Sequence, residues 1–132
     1  MCVFCDIISG KIPCFKVYES DNVLAFLDIS QATKGHTLII PKKHYESIFD
    51  LDDTVAKEII TVAKKIALLM KKNLNIDSVN LLNNSGKTAG QEVNHFHLHV
   101  IPRYSSNDVN ITATVHDFDA IKLANTLETL LK

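Results

Sequence analysis

The chain has 132 residues, 46% hydrophobic and 22% charged, enough apolar material for one domain core with little room for a second. Fourteen basic residues against fifteen acidic ones give a formal charge of −1, which argues against a nucleic-acid surface, because a duplex-binding face needs a basic stripe. No stretch approaches the roughly 18 apolar residues of a membrane-spanning helix, and the opening Met1-Cys2-Val3-Phe4-Cys5-Asp6 lacks the pattern of a secretory leader.

Three cysteines are an odd count and too few for a secreted disulfide framework, so reduced thiols in a cytoplasmic protein are expected. The pairs Lys42-Lys43, Lys64-Lys65 and Lys71-Lys72 are the only basic clusters, and the last two read as a solvated helix face. Residues 1–132 read as one complete domain, without repeat, linker or low-complexity tract.

In chain order, Phe4 to Ser9 is short and amphipathic and ends at Gly10, which predicts a brief helix before Pro13. Phe15–Glu19 and Val23–Asp28 are rich in β-branched and aromatic residues, and Ser20-Asp21-Asn22 between them completes a hairpin signature. Thr37-Leu38-Ile39-Ile40 reads as a buried strand closed by Pro41. After Asp50-Leu51-Asp52-Asp53, the residues Val55, Ile59, Val62, Ile66 and Leu69 recur every three or four positions and predict a long helix with one apolar stripe. Acidic residues at its start and Lys71-Lys72 at its end suit the helix dipole.

Val79–Leu82 predicts a strand, Asn83–Gln91 a polar loop, and Asn94–Ile101 a further strand closed by Pro102. Phe118, Ile121, Leu127 and Leu131 mark a terminal helix after a poorly patterned connection. Runs of strands interrupted by one long helix predict an α+β fold with a mainly antiparallel sheet of about five strands. One face of that sheet is then left for the second helix or another subunit to cover.

The run His95-Phe96-His97-Leu98-His99 carries the chemistry. Alternate residues of a strand share a face and lie about 7 Å apart, so the three histidines form a row while Phe96, Leu98 and Val100 turn to the core. Clustered imidazoles serve either a metal or nucleophilic catalysis. A collinear row converges poorly on one ion, whereas a single neutral imidazole aimed by its neighbours makes a nucleophile near neutral pH. The glycines, amides and carboxamides of Asn83–Gln91 can donate hydrogen bonds to phosphate oxygens.

With its flanks, this run resembles the signature of the histidine triad (HIT) superfamily. Ala25-Phe26-Leu27-Asp28-Ile29-Ser30, Lys34-Gly35-His36-Thr37-Leu38-Ile39-Ile40-Pro41-Lys42-Lys43-His44, Gly90-Gln91-Glu92-Val93 and Ile101-Pro102-Arg103 are similar to family segments, and the likeness fades after about Ser105. The resemblance implies a nucleotidyl hydrolase or transferase acting on adenosine-type phosphoramidates or dinucleoside polyphosphates, with AMP or an AMP conjugate as ligand. In that reading His97 attacks the α-phosphorus, His99 holds phosphate oxygens and His36 supports the row from behind.

Asn84 and Gln91 would bind phosphate or leaving-group oxygens and Asp28 the ribose hydroxyls. Phe4, Ile7, Phe26, Ile29 and Leu38 would line the base pocket, or serve only as core. Glu92 departs from the serine common among nucleoside phosphoramidases. It is expected to turn away, to offer its backbone N–H, or to meet an amine leaving group. A two-fold homodimer is also implied.

A nucleotide sensor without turnover and a purely structural metalloprotein are the rival readings. Cys2-x-x-Cys5 has zinc-knuckle spacing, and His44 and His95 are the candidate third and fourth ligands. Bacterial proteins that the chain resembles use such a set. A redox pair is the alternative for these thiols, and Cys5 could equally be a buried hydrophobe, as is expected of Cys14.

Overall fold

The structure, a computed structural model, describes residues 2–128. Its elements are α1 (Val3–Ile8), β1 (Lys16–Glu19), β2 (Val23–Leu27), β3 (Thr37–Pro41), α2 (Asp53–Asn73), β4 (Ser78–Leu82), β5 (Leu98–Arg103) and α3 (Ala120–Glu128), with one 3-10 turn at Lys87–Ala89. The five strands form one sheet in the order β1-β2-β3-β5-β4, antiparallel throughout. The architecture is the expected α+β class.

Local chemistry accounts for the boundaries. The Ser20 hydroxyl takes the N–H groups of Asn22 and Val23 and closes the β1–β2 turn. The Asp52 carboxylate caps α2 by accepting the Val55 N–H at 3.1 Å. Lys71 and Lys72 occupy the last turn of α2, where a cation suits the dipole.

Register sorts the side chains onto two faces. Val23, Ala25, Ile39, Leu98 and Val100 point to α2, where Ile59, Val62, Ala63, Ile66 and Met70 bury them. Leu24, Phe26, Leu38 and Ile40 point the other way and pack with Phe4. Leu38 pairs with Phe26 on one side and with His99 on the other, so His99 shares this second face.

Four expectations change. The sheet does not leave a wholly open face, because α1 lays Phe4, Ile7 and Ile8 on the side opposite α2. The strand expected over 94–101 begins only at Leu98. His95 and His97 lie in its lead-in, where Tyr45 O accepts the Phe96 N–H and Asn83 Nδ2 donates to His97 O, so non-strand partners satisfy that backbone. In α2 the stripe ends on Met70 (6% exposed), and Leu69 is 52% exposed. The terminal helix packs no apolar face on the sheet, since Phe118, Ile121 and Leu127 are exposed; Leu131 lies outside the described residues. No helix among the described residues is long and apolar enough to cross a membrane.

The end of the α2 stripe gives a stability prediction. Met70→Ala should destabilise the chain by about 2–4 kcal/mol, and Leu69→Ala by no more than about 0.5 kcal/mol. Urea unfolding of the two variants checks this, and equal losses would place Leu69 in the core.

Candidate active site and metal centre

The histidines meet where β3, β5 and the lead-in to β5 converge. Each has one ring nitrogen tied down, and the partner fixes which nitrogen carries hydrogen. His97 Nδ1 lies 2.8 Å from the His95 carbonyl, an acceptor, so Nδ1 donates and Nε2 keeps a free lone pair. His36 Nδ1 accepts the Ala32 N–H at 3.1 Å, so its hydrogen sits on Nε2 and is donated to His99 Nδ1 at 2.8 Å. His99 is left with a donor at Nε2. The Nε2 of His97 and the donating Nε2–H of His99 thus sit on rings whose centroids are 5.1 Å apart.

Burial tunes these groups. His36 and His97 are buried and His99 is half-buried. Desolvation pushes the pKa of His99 down to about 4, helped by the neighbouring His97 and His36 and opposed by Asp28. Desolvation likewise lowers His36, against the pull of Asp28. Both His36 and His99 are therefore held toward the neutral form near pH 7.

Asp28 stands at the end of β2, with Oδ1 accepting the Ser30 N–H at 2.7 Å and Oδ2 3.6 Å from His36 Nε2. Its carboxylate faces the same cluster as His36 and His99. Gln31 was not singled out in the sequence, yet its amide donates to the carbonyls of Asp28 and His36 and shapes this corner. Asn83 was seen only as a loop residue, and it holds the His97 carbonyl at 3.0 Å. Neither had a signal beyond a polar side chain in a turn.

Asn84 is half-buried in the loop that precedes the row, beside Gly90 at φ +93°. Gln91 is placed differently from expectation. Its two amide hydrogens go to the carbonyls of Glu46 (2.6 Å) and Val93 (2.9 Å), and its oxygen takes the Gly86 N–H at 2.8 Å. The carboxamide braces the loop and has no spare hydrogen for a phosphate. Glu92 is exposed and lines, with Glu46, Asn94 and His44, an open cavity of about 610 Å³.

Of the residues expected around a base, Phe4, Phe26 and Leu38 are buried against one another and Ile7 is half-buried beside them. Ile29 is 91% exposed and has no wall of this chain against it. The Phe4 ring also stands edge-on to His97 and His95, with centroids 5.2 and 5.8 Å apart.

The second cluster joins Cys2, Cys5, His44 and His95. His95 Nε2 donates to the Pro41 carbonyl at 2.8 Å, which frees Nδ1 for a ligand. That nitrogen lies 3.4 Å from Cys2 Sγ, 3.6 Å from Cys5 Sγ and 3.1 Å from His44 Nδ1, and Cys5 Sγ is 3.3 Å from His44 Nδ1. A tetrahedral ion with bonds of about 2.0–2.3 Å separates its ligand atoms by roughly 3.3–3.8 Å. Burial lowers the His95 pKa and favours the neutral, ligating form. The donor set fits a thiolate–imidazole metal centre.

A sequence profile described as the HIT domain matches residues 9–106. The protein named adenosine 5'-monophosphoramidase HNT1 of Saccharomyces cerevisiae is 41% identical over 123 residues, 91% of this chain and 75% of that protein. The crystal structure of a HIT family protein from Bacillus anthracis superposes with a TM-score of 0.91 at 50% identity, covering 98% of this chain and 94% of that one. A Zn-bound histidine triad family protein from Mycobacterium smegmatis matches with a TM-score of 0.79 at 37% identity, covering 98% and 92%.

The depressed His99 pKa carries a pH signature. The folded value of about 4 lies below the ordinary 6.5, so the unfolded chain takes up the proton first. The contribution to stability is complete above about pH 6.5 and is lost as the pH falls toward 4. Urea midpoints between pH 7 and pH 4.5 should fall more steeply for the native chain than for His99→Asn. Superimposable profiles would show that His99 is not a source of the acid sensitivity.

Proposed function

The chain belongs to the HIT domain family, and from that membership and the tautomers of the histidine row we propose that it is a nucleotidyl hydrolase. Its substrate class would be an adenosine phosphoramidate, or a dinucleoside polyphosphate, cleaved at the α-phosphorus. The observation that carries the reading is the His97 hydrogen bond to the His95 carbonyl, which commits Nδ1 as the donor and leaves Nε2 as the nitrogen available for attack. The activity named for the yeast relative, 41% identical over most of this chain, supports the phosphoramidate branch.

In the first step the Nε2 lone pair of His97 forms a P–N bond while the bond from phosphorus to the leaving group breaks. The leaving group departs with that electron pair and takes a proton, for which His99 Nε2–H is the nearest donor on the row. In the second, water attacks phosphorus and gives a proton back to His99 Nε2, while the P–N bond breaks and its electron pair returns to His97. Neutral N–H groups of the 83–91 loop and His99 would face the phosphate oxygens. Asn84 would contribute a carboxamide there, and Gln91 would keep the loop in shape through Gly86.

Asp28 would hold the ribose hydroxyls, since its Oδ2 has only a 3.6 Å contact to His36 in this structure. Ile29, exposed at the end of β2, would cover one side of the base, with the Phe26–Leu38 surface beneath. Glu92, exposed just ahead of the histidine row, would suit an amine leaving group better than an anionic one.

Zinc is the metal we assign to the second cluster, held by Cys2, Cys5, His44 and His95. It would supply a cross-link between the N-terminal helix and the sheet, and no bond-making step passes through it. The mycobacterial neighbour of the same fold is zinc-bound. A homodimer is the assembly we infer: β4 is an edge strand with Leu81 exposed, and the apolar residues of α3 are uncovered.

Two measurements test these assignments. His97→Asn should lower turnover of an adenosine phosphoramidate by about three orders of magnitude or more while AMP binding persists. Activity above a few per cent of the parent would remove the covalent step, and binding without turnover by the native chain would make it a sensor. Metal analysis of protein prepared without chelator should give close to one zinc per chain, and Cys2→Ser with Cys5→Ser should abolish it.

A further inference from the structure

Phe4 lies between the two thiols of the metal cluster. Its ring is buried, stands edge-on to His97 at a centroid distance of 5.2 Å and an interplanar angle of 73°, and touches His95 and Phe26 in the same manner at 5.8 and 5.9 Å. One aromatic ring therefore packs against both the catalytic histidine and a metal-type ligand. Such contacts are directional, because the positive edge of one ring meets the negative face of another.

The helix that carries this ring has six residues, too few to persist unaided. Its attachments are the apolar contacts of Phe4, Ile7 and Ile8 and the two thiols. Cys2 Sγ reaches His95 Nδ1, and Cys5 Sγ reaches His44 and His95. The first turn of α1 is thus tied down on either side of Phe4 by one four-donor cluster.

A second route runs through His95. Its ring is fixed between the cluster, through Nδ1, and the Pro41 carbonyl, through Nε2. Its own carbonyl receives the His97 Nδ1–H at 2.8 Å. Whatever holds the His95 ring also holds the acceptor that sets the tautomer of His97.

We infer that Phe4 is a positioning residue for His97, and that the Cys2–Cys5–His44–His95 cluster, when closed by a metal, sets the orientation of the nucleophile as well as tying down the N-terminus. The inference rests on the role given to His97 above. It makes the metal a determinant of turnover without any contact with substrate. It also separates Phe4 from the pocket wall that the sequence alone suggests, because the two roles load different rate constants.

The test uses Phe4→Leu, which keeps an apolar side chain and leaves the four ligands untouched. The variant should retain one zinc per chain and bind AMP within about threefold of the parent, while its single-turnover rate of nucleotidyl transfer falls at least about tenfold. Withdrawing the metal from the parent under reducing conditions should cost a similar factor. Withdrawing it from Phe4→Leu should cost little more, since both changes act on the same ring. Independently of turnover, the proton–nitrogen NMR signal of His97 Nδ1–H should broaden in Phe4→Leu and in the metal-free parent.

Loss of AMP affinity with an unchanged transfer rate would make Phe4 a pocket wall and overturn the inference. A folded, metal-free parent with full transfer rate and a sharp Nδ1–H signal would overturn it too. If the metal-free chain unfolds, the Phe4→Leu rate and NMR signal decide alone. A native chain that never forms the nucleotidyl adduct would defeat the covalent reading, and the NMR arm would still report on the coupling.

Discussion

A commitment at one ring nitrogen decides what each histidine can do with the other. Backbone or ring partners hold His95 at Nε2, His97 and His99 at Nδ1, and His36 at both nitrogens. The same side chain is thereby left with a free Nδ1 at His95, a free Nε2 at His97, a free Nε2–H at His99 and a bridging ring at His36. Imidazole is suited to this division because its two nitrogens are distinct once one is occupied. The chemistry of the site is written in hydrogen bonds to main-chain groups, and main-chain groups are placed by the sheet.

The sheet meets two demands at once. Antiparallel pairing of β3 with β5 brings Leu38 opposite His99 and Ile39 opposite Leu98, so alternate positions serve the α2 core and the histidine face. The α2 face is apolar and buried and supplies most of the stabilising area. The histidine face trades some of that area for polar rings, each of which finds a partner. Among the described residues no buried side-chain nitrogen or oxygen lacks one. Ending the regular strand at Leu98 permits the arrangement: the lead-in curves away, Tyr45 and Asn83 satisfy its backbone, and the His95 carbonyl is free for His97.

Periodicity made much of this legible. The alternation of His95 to Val100 announced which side chains share a face, and the three-to-four spacing of Val55 to Ile66 announced α2, because both patterns follow from local geometry. The four-ligand cluster was suggested by spacing and resemblance, and its donor distances suit the purpose. Gln91 was not legible. A carboxamide in a glycine-containing loop looks like a phosphate donor until three backbone partners are seen to occupy it. The exposed face of α3 was equally hidden, since an apolar stripe says that something covers it and not whether the cover is this chain.

Charge completes the account. Two cations of the sheet are already engaged: Arg103, at the end of β5, with Asp108, and Lys42, just after β3, with Glu19. Burial keeps His36, His95 and His99 neutral near pH 7. On the proposed reading, an anion in this site would meet N–H dipoles and imidazole donors held in advance. That choice has a physical logic. A protonated row would attract phosphate more strongly and would also have no lone pair with which to attack it. In the proposed transfer, neutral donors fixed by backbone partners would cost little reorganisation as charge shifts.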